Sequence, residues 1–326
     1  MVRFSIIIPV KSINDYVRET VPHIQRLVDL RWELMVIPNE EAPNEWPEDG
    51  RVRVFPSGRV GPAAKRDLGA AQALGEILVF LDDDSYPAED LLTIAERYFA
   101  DPSIVALGGP AITPPDDEFW QRVSGAVFLS KFSGGAPERY VSVGNAQPVQ
   151  DWPSVNLMVR RDSFLAIGGF NSPYWPGEDT KLCLDLIQKT GKMILYVPEM
   201  QVWHHRRAGL GAHLRQVGAY GLHRGYFAKK HPQTSCKFIY FAPSVFLVFS
   251  VSTVIVTITQ IESSQIFSIG WSFYALALFF AFIDICKYES AWVAAAAMFY
   301  IPLTHLVYGF RFIQGILTIN LVSKLR

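Results

Sequence analysis

Apolar runs and helical periods alternate along the first third of the chain. Phe4–Val10 is an apolar run broken only by Ser5, the signature of a strand buried on both faces. Over Tyr16–Leu30, Val17, Val21, Ile24, Leu27 and Val28 recur at helical spacing. Glu33–Ile37, Arg51–Phe55, Ile77–Leu81 and Ile104–Leu107 read as further strands. The Ala-rich Ala63–Leu74 and Ala88–Phe99 read as helices, the latter with Pro87 at its start and Glu89 and Asp90 in its first turn. This βαβα order predicts an α/β fold with a doubly wound, mostly parallel sheet. Such sheets bind ligands beyond the carboxyl ends of their strands. Between Pro110 and Trp152, Gly, Pro and aromatic residues dominate and the pattern predicts loops with some helix. Regularity returns with a strand at Ser154–Val159, a segment Asp162–Ile167, the turn Gly168-Gly169-Phe170, a helix over Thr180–Thr190 and a strand at Met193–Val197.

The last quarter has a different pattern. Phe238–Thr259 carries no charge, Ile266–Ile285 carries Asp284 only near its end, and Ala291–Phe310 includes Pro302 and His305. Each is long enough to span a bilayer. Seven of the 61 charged residues lie in the 89 residues from Phe238 onward, leaving 54 for the preceding 237. The predicted organisation is therefore a charged domain over residues 1–237 and a membrane anchor of two to three apolar helices over 238–326.

The net charge of −1 gives no basic excess of the kind that nucleic-acid binding requires. Three cysteines without CxxC spacing argue against a disulfide framework or a zinc site. The apolar run at the N-terminus is too short for a signal peptide, and no small-residue cleavage site follows it. Arg207, Arg215, His223, Arg224, Lys229, Lys230, His231 and Lys237 form a basic collar before the first apolar stretch. Both features predict a multi-pass protein of the cell membrane with its charged domain on the cytoplasmic side.

Candidate chemistry begins where the Ile77–Leu81 strand runs into Asp82-Asp83-Asp84. One Asp there commonly caps the next helix. Three adjacent acids repel one another and are best tolerated beside a cation. Hard oxygen donors suit Mg²⁺ or Mn²⁺, usually shared with substrate phosphates. Asp82 and Asp84, two apart, face the same way if strand geometry persists. Glu178-Asp179-Thr180 opens a second helix, where helix capping and a catalytic carboxylate are both open readings.

Ser5-Ile-Ile-Ile-Pro-Val10, Lys65-Arg66-Asp67-Leu68-Gly69, Gly75 through Asp84, Val159-Arg160-Arg161, Gly168-Gly169-Phe170 and Gly177-Glu178-Asp179 occur in order. Together they resemble the inverting family 2 glycosyltransferases of GT-A fold, from about Phe4 to His205. The resemblance implies that Asp82 holds the ribose or sugar of a nucleotide sugar, with Asp83 beside it, and that Asp84 holds the cation, with Asp82 as a further ligand. It places Pro9, Val10, Lys65 and Arg66 on the nucleotide side. Asp179 matches the position of the catalytic base, with Glu178 its partner. A single displacement needs one carboxylate to take the acceptor proton and no nucleophilic second one.

The sequence departs from that family in two places. The aspartate expected after the second strand is absent, and Asn39 or Glu40 offers a carbonyl oxygen to a base instead. Arg66 is followed by Asp67 where the family has Asn. Of the His204-His205 pair, His205 is expected as a metal or phosphate contact. Arg206 is expected on the diphosphate, with a membrane-facing role for it and Arg207 equally open. Pro302 through Phe310 resembles the tail of exopolysaccharide-type membrane glycosyltransferases.

The sequence thus predicts a metal-dependent transfer from a UDP- or GDP-sugar to a polyprenyl phosphate or lipid-linked glycan. A processive synthase, a nucleotidyltransferase and a non-catalytic nucleotide-sugar-binding membrane protein are the alternatives. The sequence leaves the oligomeric state open. A third full span would put Arg311, Lys324 and Arg326 outside, against the charge rule. Either the third segment is re-entrant or interfacial, or the rule is overridden.

Overall fold

The structure, a computed structural model, describes residues 1–259 and 264–321. Most of the expected loop 260–265, and Lys324 and Arg326, lie outside the described residues. In chain order the strands and helices are β1 (Phe4–Pro9), α1 (Asp15–Gln25), β2 (Trp32–Ile37), β3 (Val52–Val54), α2 (Pro62–Gln72), β4 (Ile77–Leu81), β5 (Ser85–Pro87), α3 (Leu91–Phe99), β6 (Ile104–Gly108), β7 (Ala111–Ile112) and α4 (Phe119–Ala126). They continue with β8 (Gln147–Val149), β9 (Asn156–Arg160), α5 (Arg161–Ile167), α6 (Glu178–Thr190), β10 (Met193–Tyr196), β11 (Val202–His204), α7 (Leu210–Lys230), α8 (Pro232–Ser235), α9 (Phe238–Thr259), α10 (Ser264–Ile285) and α11 (Ala291–Leu317).

The chain divides into two compact units. The first comprises residues 1–112 and 141–205 and holds an eight-stranded sheet of order β3-β2-β1-β4-β9-β6-β10-β8. β1, β2, β3 and β4 are parallel neighbours, as are β6 and β10. β9 lies antiparallel between β4 and β6, and β8 antiparallel at the β10 edge. The sheet is therefore mixed, since an apolar run marks a buried strand without recording its direction. Alternate residues of one strand feed two cores: Phe4, Ile6 and Ile8 pack on one face, Ile7 on the other. Burial on both faces explains why these strands read as near-continuous apolar runs. A second, three-stranded sheet of order β5-β11-β7 stands beside it.

The second unit comprises residues 113–140 and 206–321. It groups α4 and the basic collar with the apolar helices, so the compact units divide the chain elsewhere than at residue 237. α4, in a stretch expected to be mostly loop, is set by a reciprocal capping box between Glu118 and Gln121. α9, α10 and α11 are each long and apolar enough to cross a membrane. α11 is continuous through Pro302 and differs from the other two in its packing. In its most apolar stretch 39% is buried, against 6% in α9 and α10.

Candidate active site

The site grows from the carboxyl end of β4. After Leu81 the chain turns tightly into β5. The Ser85 hydroxyl donates to the Asp82 carbonyl at 2.9 Å and accepts from the Asp82 amide at 3.1 Å. β5 pairs antiparallel with β11, which sets His204 opposite Ser85. The result is a cluster of Asp82, Asp84 and His204 whose ligand atoms lie within 4.8 Å of one another. Asp84 is buried, and its Oδ1 is 3.1 Å from His204 Nε2. Two carboxylates and an imidazole at this separation fit Mg²⁺ or, with the nitrogen donor, Mn²⁺.

The histidine in this cluster is His204, not the expected His205. Neighbouring strand residues face opposite ways. His205 Nε2 lies 3.1 Å from Glu19 Oε2, and its ring stacks on Tyr16 at 4.7 Å. Asp83 points to α1 instead. It accepts from Asn14 Nδ2 at 2.7 Å, while Asn14 Oδ1 caps α1 by accepting from the Val17 amide.

α2 starts at Pro62, directly after Gly61, and closes on β1 at Gly69, where a Cβ would stand 2.8 Å from Ile7. Its first turns carry three consecutive polar residues to three destinations. Lys65 directs its three N–H groups at the carbonyls of Val10 (2.5 Å) and Ile37 (3.2 Å) and at Asn39 Oδ1 (2.6 Å). Burial pulls its amine down to about 8 against the charge of Asp83. Lys65 thus ties the ends of β1 and β2 together. An ammonium only donates, so the Asn39 oxygen faces it and the Asn39 NH₂ is left as the donor. Glu40 pairs at the surface with Arg59 at 2.9 Å. Pro9 closes β1, and the Val10 amide donates to Ile37 O at 3.1 Å.

Arg66 is buried. Its Nη2 lies 2.5 Å from Asp82 Oδ1 and its Nη1 3.3 Å from Glu178 Oε1. One guanidinium therefore joins the acids after β4 to those opening α6. Asp67 faces the other way and accepts from the amides of Phe170 (2.7 Å) and Asn171 (3.1 Å). A Cβ on Gly169 would stand 2.4 Å from Asp67 Oδ1, and φ there is +75°. The Gly168-Gly169-Phe170 turn is thus shaped around a carboxylate whose importance the sequence did not show.

Gly177, with φ +113°, is the N-cap of α6, so neither Asp179 nor Thr180 occupies the capping position. Both acids lie in the first turn, where the helix dipole favours carboxylates. Glu178 is buried. Desolvation first, then the neighbouring charge of Asp179, push its carboxyl above the usual range, with Arg66 opposing. Asp179 Oδ1 accepts from the Thr180 amide at 2.7 Å and Oδ2 from the Ser154 amide at 3.4 Å. Thr180 Oγ1 donates to buried Asp151 at 3.2 Å, an acid that no motif marks. Arg206 belongs to the second unit, where its Nε donates to Thr113 Oγ1 at 3.1 Å and its guanidinium lies 5.0 Å from the Tyr140 ring.

A mixed sheet with paired acids beyond its central strand is the GT-A arrangement. Residues 5–164, just under half of the chain, match the model of glycosyl transferase family 2. The pre-mycofactocin glycosyltransferase of Mycobacterium tuberculosis is 27% identical over 179 residues, 55% of this chain and 37% of that protein. The glucosyl-dolichyl phosphate glucuronosyltransferase of Haloferax volcanii is 25% identical over 154 residues, 44% of this chain and 47% of that protein. The chain thus spans less than half the length of these relatives. Among solved structures, the mannosyltransferase PcManGT of Pyrobaculum calidifontis, in complex with GDP-Man and Mn²⁺, is similar with a TM-score of 0.62. It shares 17% identity, and the match covers 90% of this chain and 85% of that one.

Proposed function

We propose that the chain is a membrane-anchored inverting hexosyltransferase. It moves a sugar from a UDP- or GDP-sugar to a polyprenyl phosphate or lipid-linked glycan, in polysaccharide biosynthesis. The observation that carries this reading is the Asp82–Arg66–Glu178 bridge, which gathers the acids after β4 and those opening α6 into one site. Asp82, Asp84 and His204 would hold Mg²⁺ or Mn²⁺. When bound, the cation supplies charge neutralisation to the departing nucleoside diphosphate. Asp179 takes the proton of an acceptor hydroxyl as the diphosphate leaves from the opposite face. With a lipid phosphate acceptor, already anionic, Asp179 orients it instead. The GDP-Man and Mn²⁺ in the PcManGT structure and the dolichyl phosphate in the Haloferax relative's name support the donor, metal and acceptor classes. α9 and α10 serve as membrane spans, with the first unit on the cytoplasmic side.

The test is a binding and turnover screen of the full chain in detergent. UDP- and GDP-sugars are offered with Mn²⁺, Mg²⁺ or EDTA, and with polyprenyl phosphate as acceptor. Metal-dependent binding of one donor and release of its nucleoside diphosphate are expected, both lost in Asp84→Asn. Absence of metal-dependent binding for every nucleoside diphosphate would overturn the reading.

A further inference from the structure

We propose that α11 does not cross the membrane. It lies along the face from which α9 enters and sets Trp292, Phe299, Phe310 and Leu317 into the lipid headgroup–acyl boundary. The inference rests on reading α9 and α10 as spans and is independent of the identity of donor or acceptor.

The first observation is the order of contacts. α9 and α10 form an antiparallel hairpin: Phe246 stacks on Tyr274 at 4.2 Å and Phe249 on Phe267 at 5.6 Å. The start of α9 and the end of α10 therefore lie at one membrane face. α11 begins six residues after Ile285, at that face. Further along, His305 Nδ1 meets the Tyr274 hydroxyl at 3.0 Å. A Cβ on Gly309 would stand 2.3 Å from Pro243 O, and Phe312 packs on Phe241 at 4.8 Å. Successive residues of α11 thus run toward the beginning of α9. A helix of 27 residues is about 40 Å long, and a crossing one would carry its second half away from that face.

The second observation is the partner on its other side. A Cβ on Gly221 or Gly225 of α7 would stand 2.6 Å from Tyr308 O or 2.0 Å from Phe312 O, and one on Gly315 would stand 2.1 Å from Leu222 O. The two backbones are in contact, so α7 must share the depth of α11. α7 carries Arg215, Arg224, Lys229 and Lys230, and Lys229 Nζ holds the carbonyls of Ile316 (2.9 Å) and Thr318 (2.6 Å). Four cations are not carried into hydrocarbon with their helix. At the membrane surface they face anionic headgroups.

The third observation is the face left over. Trp292, Phe299, Phe310 and Leu317 are 61–81% exposed and separated by seven, eleven and seven residues. Those steps return to one side of a helix within about 20° each. A single apolar stripe opposite a polar partner is the pattern of a helix lying in the interface. This geometry also removes the conflict with the charge rule, because Arg311 stays on the basic side.

The test uses the full chain in lipid vesicles, with one accessible cysteine at a time in a Cys236→Ser, Cys286→Ser background that keeps the buried Cys183. Spin labels at Trp292→Cys, Phe299→Cys, Phe310→Cys and Leu317→Cys are expected at one shallow depth, about 5–10 Å below the headgroups. Depths that progress across the ~30 Å core would overturn the proposal. An impermeant thiol reagent is expected to reach a cysteine appended after Arg326 from the face bearing the N-terminus, and Glu262→Cys only from the opposite face. The appended cysteine labelled from the opposite face overturns the inference. Glu262→Cys labelled from the N-terminal face overturns the spanning reading beneath it.

Discussion

Replacing Arg66 with methionine tests the bridge at the centre of the site. The side chain of Glu178 is 7% exposed and that of Asp82 33%. Loss of the guanidinium leaves Asp82 partly hydrated, so most of the penalty falls on Glu178. Removing one partner of a buried pair costs about 3–5 kcal/mol. At about 2–4 °C per kcal/mol for a domain of this size, the melting temperature at pH 10 should fall by roughly 6–20 °C. The pH dependence has a definite sign. Burial and Asp179 already push the folded Glu178 carboxyl up to about 8, so its contribution is fully present below about pH 4.3 and is lost as pH rises through the folded value. Without Arg66, which opposes the shift, the folded value rises further, and the added loss is expressed only above about pH 8. At pH 5 Glu178 binds a proton, and less than half of the fall should remain. Thermal unfolding of the full chain in detergent at pH 5 and pH 10 measures both. A fall below 2 °C at pH 10, or equal falls at the two pH values, would refute the argument.

Further outcomes follow from the same geometry. Asp179→Asn should lower turnover at least about a hundredfold while leaving nucleotide binding within about twofold by calorimetry, as expected of a lost general base. His204→Ala should weaken Mn²⁺ binding about tenfold or more in a paramagnetic titration, whereas His205→Ala, facing Glu19, should leave it unchanged. The Lys65 amine lies at about 8, below its unfolded value of about 10.4. Stability should therefore rise with pH between those values, and Lys65→Met should flatten that part of a melting profile.

How much of this was legible depended on length and on what a residue faces. β1, β2 and β4 were readable because burial on both faces makes them predominantly apolar over five or six residues, with only Ser5 in β1 and Glu33 in β2 polar. β5, β7 and β11 were not, because two or three residues hold no period, yet they are what bring His204 to Asp84. Asp82 and Asp84 stood out as acids ending an apolar strand. The choice between His204 and His205 turns on the phase of a three-residue strand and could not be read. The partners of Asp151 and Asp67 could not be read, since each works on a group distant in sequence. Pro302 suggested an irregular segment, but the structure keeps α11 helical through it.

The Arg66-Asp67 departure looks different once α2 is seen as a hub. Consecutive helix residues point about 100° apart, so three in a row fan toward three parts of a site. Lys65 reaches the ends of β1 and β2, Arg66 reaches Asp82 and Glu178, and Asp67 reaches the turn between α5 and α6. Asparagine at 67 could also accept from the Phe170 amide, but through one oxygen only. The carboxylate uses both of its oxygens, on Phe170 and on Asn171. Asp67 therefore fixes the chain leading to α6 while its neighbour fixes the first acid of that helix. Anchoring both from one turn of α2 holds the proposed base against the paired acids after β4.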